Sequence, residues 1–399
     1  MKHDLLILAL LPLLLLPACR PRAVQKKPDL APPKEQVKPL AKHFTAEQDF
    51  AFILPRLAPV QGVGGIRAEQ CGTCHQAIYK EWQQSTHAWA LRDLQYQAEL
   101  FKPSSPRWLC LNCHIPLQDQ RREVVLGLKG GDVLRPETEP NPSFDARLQQ
   151  EAITCATCHV RPGPAGASHI VGPRGNPRAP HPVRADPQGL RTICYRCHDP
   201  RGERITAGLV CWFETRKELE QGPLGEDAAC VDCHMPNQKR RLAAPLFERY
   251  PERESPRHTW VGGGVPKGYV GYKGLLHNGY QPGVSFSVGK IKRADHGAVA
   301  FDMTVDNSGD AGHWVTTGDP ERHILVVARL VDAAGKELAR QTHRLGQTWR
   351  WSPRAEKIAD NRLKPEEERT LSSSLKPDGD AAPARLIVAA YHVRLTSKA

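Results

Sequence analysis

This sequence has little from which to build a conventional hydrophobic interior along its whole length. Only 6% of its 399 residues are aromatic, methionine occurs three times, and glycine and proline together contribute 67 residues. Long core-forming elements are therefore expected to be sparse in part of the chain. There is no nucleotide-binding glycine loop, no HExxH and no GxSxG, so hydride, phosphoryl and acyl transfer have no support in the sequence. The formal charge of +12 raises nucleic acid as a partner. No basic run is interleaved with stacking aromatics, however, and nucleic acid is not expected.

The N-terminus reads as an export signal over 1–18. Lys2 is followed by an apolar run from Leu5 to Leu16, which is too short to span a bilayer. The run ends Leu16-Pro17-Ala18-Cys19, which resembles a bacterial lipobox and makes Cys19 the expected acylated residue. Simple cleavage nearby, with Cys19 lost, is the alternative. Either way the protein is expected outside the cytoplasm, in the bacterial cell envelope, periplasmic or on the outer surface. Residues 19–45 hold several prolines and lysines, a composition suited to an extended, anchored tether.

Ten of the twelve cysteines form five identical patterns: Cys71-Gly-Thr-Cys74-His75, Cys110-Leu-Asn-Cys113-His114, Cys155-Ala-Thr-Cys158-His159, Cys194-Tyr-Arg-Cys197-His198 and Cys230-Val-Asp-Cys233-His234. In CxxCH, two thiols add to the vinyl groups of haem and the adjacent histidine becomes the proximal iron ligand. Zinc ribbons also use CxxC pairs, but they do not require histidine after every second cysteine. Five covalent haem c groups are therefore expected. The motif starts are separated by 39, 45, 39 and 36 residues, which is no fixed solenoid period. Segments this short cannot each build a core, so the porphyrins are expected to supply the apolar mass, with propionates offsetting much of the positive charge.

After His75, the apolar spacing predicts a helix over 76–94 that carries His87. The residues Tyr79, Glu81-Trp82, Ser85 and His87-Ala88 following the first motif resemble the opening of the cytochrome c554 family of multihaem cytochromes. That resemblance implies that His87 is a distal haem ligand. The third motif, with Gly163-Pro164 and Ser168-His169, resembles the family's CxxCH-GPG-SxH stretch and nominates His169. Val160-Arg161-Pro162 is inserted here. Cys230 to Pro236 resembles the CxxCHMP ending of pentahaem nitrite reductases and hydroxylamine oxidoreductase relatives.

From about Val284 strand-like segments appear at 286–291, 298–305, 324–331 and 384–395, separated by glycine-containing turns. The expected architecture is an N-terminal loop-rich, mainly α multihaem domain over 46–279, followed by an all-β immunoglobulin-like sandwich over 280–399. The loop Asn307 to Gly318 resembles the GHxxPTG loop of β-domains attached to such cytochromes, with Thr316 where proline is usual. That resemblance implies that His313 faces a haem; a loop histidine satisfied by backbone is the alternative.

Methionine is nearly excluded as a distal ligand, because Met1 leaves with the signal and Met235 adjoins His234. That leaves histidine. The expected order is His87 and His169, then His258, His181 and His313, with His43 and His277 in reserve. Cys211, in an apolar setting, reads as a small buried residue. The expected function is electron transfer with other cytochromes or membrane quinone-linked complexes. The enzymatic alternative is a haem-based oxidoreductase of small nitrogen or sulfur compounds, which needs an open iron. A third possibility makes the sandwich a docking module.

Overall fold

The computed structural model describes residues 36–206, 209–225, 228–243, 250–260, 283–308, 312–379 and 382–394. The expected signal, Cys19, most of the tether and His277 lie outside them. The tether is shorter than expected. Val37 and Lys38 already pair antiparallel with Lys129 and Leu128, and Val37–Ala399 forms one compact unit. The haem-motif region and the sandwich belong to that same unit.

The N-terminal region is loop-rich, with short helices and small sheets interleaved. Helix makes up 24% of the structure and strand 32%, and the longest helices before the sandwich, Gln76–Gln83 and Arg107–His114, each have 8 residues. Between the helices lie small sheets, such as Val160–Pro162 and Val183–Ala185 on either side of Ser168–Gly172. Local signals start several helices. Asp93, Asp145 and Asp186 accept hydrogen bonds from the first-turn N–H groups of Tyr96, Leu148 and Gly189, which satisfies donors that the helix leaves open.

The helix expected over 76–94 stops at Gln83. Ser85 Oγ accepts from Ala88 N–H at 3.3 Å, and Trp89 Nε1 donates back to Gln83 O at 3.1 Å. Side-chain bonding here replaces the helical ladder, so His87 sits in a turn rather than on a helix.

The hydrophobic core of this region is divided. Leu57, Val60, Leu117, Leu148, Ala156 and Val160 form one cluster, Phe50, Ala51, Trp108, Leu109 and Leu128 a second, and Ala68, Trp82 and Ala88 a third. This division is what short segments produce when they surround something large.

The C-terminal region forms two antiparallel sheets. One joins Ser285–Val288, Lys292–Arg293, Val299–Asp306 and Glu368–Leu375; the other runs Glu356–Asp360, Glu337–Arg350, His323–Val331, Arg385–Val393. Val305, Val326, Ala328, Leu330, Leu345 and Leu363 fill the space between them, in the alternation expected of a sandwich. The four strands expected from sequence are present. The long strand Glu337–Arg350 and its partners Glu356–Asp360 and Glu368–Leu375 were not foreseen. Among the described residues no helix is long and apolar enough to cross a membrane.

Candidate haem-binding sites

Each CxxCH motif forms a tight helical turn. His75 N–H and His198 N–H donate to Cys71 O and Cys194 O, both at 2.9 Å, and Cys155–His159 and Cys230–His234 are single short helices. Residues i, i+3 and i+4 share one helical face, so two thiols and an imidazole point the same way. The ten motif cysteines form no disulfides. Their thiol sulfurs stand where thioether sulfurs would be.

Four of the five motif histidines face a second imidazole. Ring centres are 6.3 Å apart for His75 and His181, 6.2 Å for His87 and His198, 6.1 Å for His159 and His258, and 6.3 Å for His234 and His313. A metal–imidazole bond is about 2.0–2.1 Å and a ring centre lies about 1.1–1.2 Å behind its nitrogen, so two imidazoles across one metal stand about 6.2–6.6 Å apart. The four pairs have the spacing of two axial ligands on one iron.

The rings are oriented for that role. Carbonyl oxygens accept from the Nδ1–H of His75 (Leu242, 2.8 Å), His159 (Val171, 3.0 Å), His258 (Pro256, 3.0 Å) and His313 (Trp314, 3.2 Å). This leaves Nε2 free for a metal. Burial, with the neighbouring His198 and His234, lowers the His87 pKa to about 3. Burial and His159 lower that of His258 to about 3. Burial holds His313 at about 4, and burial with the nearby Arg322 holds His198 at about 4. These imidazoles are neutral, the form that binds metal.

Position is secured by buried charge. Glu81 accepts from Arg240 at 2.8 Å and from His258 N–H at 2.9 Å, while Arg240 also donates to Pro256 O at 2.7 Å. The segment bearing His258 is thereby tied to the helix after the first motif.

The second motif differs. His114 Nδ1–H donates to Ala90 O at 2.7 Å, and the ring stacked on it is Tyr96, with centres 3.5 Å apart. The aromatic partner here is thus a phenol, where the other four motif histidines meet an imidazole. The Tyr96 hydroxyl and both polar atoms of the Gln95 amide are buried without hydrogen-bond partners, and both residues line the cavity here.

His87, His181, His258 and His313 are thus brought to motif histidines, and His169 is not. Its ring packs beside Gly163 on the strand Ser168–Gly172, whose pairing with Val160–Pro162 is set by the residues inserted after the third motif. This corrects the expectation that ranked it beside His87. His43 packs against Gly131, away from the motifs. The backbone of Cys211 lies in the strand Leu209–Trp212. Sequence reasoning missed the second-motif pair Gln95 and Tyr96, which carry no metal-binding signal.

One cavity of about 2970 Å³ is lined by residues of all five motifs, several times an ordinary ligand pocket of roughly 300–1,000 Å³. Within it the motifs lie close together. The Cys71 and Cys155 thiols lie close enough to act on each other's titration, as do those of Cys194 and Cys230; Cys113 acts on Cys197, and Cys197 on Cys158. The donor set, the neutral imidazole pairs and the apolar cavity fit covalently bound haem c.

The family model for cytochrome c554 and c-prime matches residues 70–132, which include the first two motifs. The crystal structure of a penta-heme cytochrome c552 from Thermochromatium tepidum is similar to this chain, with 20% identity over 85% of this chain and 93% of that one and a TM-score of 0.55. That likeness is one of fold. No curated protein matches the chain.

Proposed function

We propose that this chain, a multihaem c-type cytochrome, carries five covalent haems and passes electrons among them in an extracytoplasmic respiratory or redox chain. Its partners on this reading are other cytochromes or membrane quinone-linked complexes, and Cys19 is its lipid anchor. Haem c supplies an iron that accepts and returns one electron. The chain's own residues would hold four irons between pairs of neutral imidazoles, with burial excluding water from them.

The observation that carries the reading is geometric: four motif histidines each meet a second imidazole at 6.1–6.3 Å, in one cavity lined by all five motifs, and the cysteines' electrostatic proximity agrees with it. Cys71 with Cys155, Cys158 beside Cys197, Cys197 with Cys113 and Cys194 with Cys230 connect the first motif to the third and the third to the fourth. From the fourth, the order branches to the second and the fifth. Intact-mass and haem-stain analysis of protein matured with a c-haem assembly system tests the count. Five haems are expected, and four or fewer overturn it.

The second motif favours a further reading, a haem-based oxidoreductase of small nitrogen or sulfur compounds. Its imidazole stacks on Tyr96, whose buried hydroxyl, like the neighbouring Gln95 amide, has no partner. On this reading the iron at the second motif is the one that would take a small polar ligand. Low-temperature electron paramagnetic resonance of the oxidised protein is expected to show at least four low-spin irons. A high-spin signal that nitrite removes supports the enzymatic reading, and five low-spin irons leave only electron carriage.

A further inference from the structure

The loop that delivers His313 ends in a second residue directed at the cavity. Arg322 immediately precedes the strand His323–Val331 and lines the cavity together with His198 and His234. Its Nε is buried and has no hydrogen-bond partner. The carboxylates of Asp319 and Asp93 act on it from a distance, opposed by Arg394, but no ion pair with it is formed among the described residues: Asp93 is paired with Arg394 at 3.2 Å and Glu321 with Lys102 at 3.6 Å. A guanidinium does not give up its proton in a protein, and an unpaired buried charge is among the least favourable groups an interior can hold. Arg322 as a whole is half-buried, and an anion brought in by the bound group would be favoured against its buried Nε edge.

The surroundings hold Arg322 in place. Its carbonyl accepts from Thr316 Oγ1 at 2.7 Å, and the Thr316 carbonyl accepts from the buried Arg362 at 3.2 Å. Gly318 has φ +84°, and a Cβ there would stand 3.2 Å from Arg322 Nη1, so the loop leaves the guanidinium its space. Electrostatically the side chain acts on His198, the proximal imidazole of the fourth motif.

We propose that Arg322 binds a propionate carboxylate of the haem at the His87–His198 site. The sandwich then completes two neighbouring sites from one loop, giving an axial ligand through His313 and an anion partner through Arg322. This rests on the reading that Cys194 and Cys197 carry haem. Guanidinium–carboxylate pairing is strong and directional, and it keeps the propionate ionised in both redox states. Without Arg322, reduction of Fe(III) to Fe(II) by one electron draws one proton from water onto the unpaired carboxylate. The potential at that site then falls and becomes dependent on pH.

The test uses full-length holoprotein as wild type, Arg322→Gln and Arg322→Lys, each first checked for haem count. Loss of haem from Cys194 and Cys197 in the wild type would overturn the underlying reading, separately from this proposal. Spectroelectrochemical titration from pH 5 to 8 is expected to show one low-spin haem of the Gln variant with a reduction equilibrium at least tenfold less favourable, a fall of 59 mV for one electron. That haem alone gains a pH dependence, and the Lys variant keeps most of the wild-type behaviour. Unchanged potentials in a fully loaded Gln variant overturn the proposal, as does a wild-type potential at this site that shifts with added acetate, which marks a free anion. Should the Gln variant fail to mature, reduced-minus-oxidised infrared difference spectra of wild type and Arg322→Lys decide. A carboxylate band that moves between them supports the pair, and one that does not overturns it.

Discussion

Replacing Arg362 by methionine should both destabilise the protein and loosen one iron ligand. Arg362 and Glu218 expose only 4% and 6% of their side chains and meet at 2.6 Å, tying the helix Thr215–Glu220 to the sandwich. Asp360 accepts two further bonds from Arg362, each of 2.9 Å. The other contacts fall on the segment after His313. Thr317 Oγ1 donates to Glu218 at 2.6 Å, Arg362 donates to Thr316 O at 3.2 Å, and its guanidinium lies 5.0 Å from the centre of the Trp314 ring. Methionine keeps much of the apolar stem but removes every donor, leaving the Glu218 carboxylate buried and unpaired. Breaking a buried pair in this way costs about 3–5 kcal/mol, a large share of the roughly 5–15 kcal/mol that holds a typical protein folded. Urea unfolding should show that loss, and electron paramagnetic resonance should show a high-spin fraction from the iron at His234 as His313 loses its support. Adding Glu218→Gln to Arg362→Met should recover part of the stability, because no charge then remains buried alone. A loss below about 1 kcal/mol with an unchanged low-spin spectrum would refute the reasoning.

Three further outcomes follow from the geometry. Alanine at His87, His181 or His258 should each turn one iron high-spin, whereas His169→Ala should leave the spectrum as it was; a new high-spin signal from His169→Ala would contradict the pairing described here. Burial pushes the Asp360 carboxyl up, but hydrogen bonding and charge from Arg362 outweigh it and hold the pKa below its ordinary value. The stability it contributes is therefore present above the unfolded carboxylate value, near pH ~3.9, and is lost as pH falls through the folded value. The unfolding difference between wild type and Asp360→Asn should accordingly shrink below about pH 4, and a difference that persists there counts against the pair. Finally, Cys19→Ser should move the protein from the membrane to the soluble fraction, and unchanged membrane association would reject acylation as the anchor, subject to any second attachment signal.

The motifs were legible because covalent attachment makes strict local demands. Cys-x-x-Cys-His places its three reactive groups on one turn whatever surrounds it, so Cys71 through His75 and its four counterparts carry their meaning in five consecutive residues. The sandwich was half legible. His323–Val331 and Val299–Asp306 are apolar and β-branched, whereas Glu337–Arg350 carries charged and polar residues on its exposed face and was missed. The helix after the first motif was overextended because periodicity cannot register Ser85 taking over backbone bonding and turning His87 inward.

The distal ligands lay between these cases. Counting histidines limited the candidates, and the sequence resemblance favoured His87 and His169. The resemblance was carried into a segment where Val160-Arg161-Pro162 builds a strand that holds His169 aside, and His181 stands opposite His75 instead. Which imidazoles meet depends on loops distant in sequence converging on one cavity: His313 reaches His234 across 79 positions of chain only because Glu218 and Arg362 fasten its loop. By itself the sequence determined five CxxCH turns, each presenting two thiols and an imidazole on one face, since those groups are neighbours along the chain. The tertiary structure alone decided what stands opposite each imidazole, because an axial position is completed by whichever buried group packing brings within about 2 Å of the metal, and packing is a property of the whole fold.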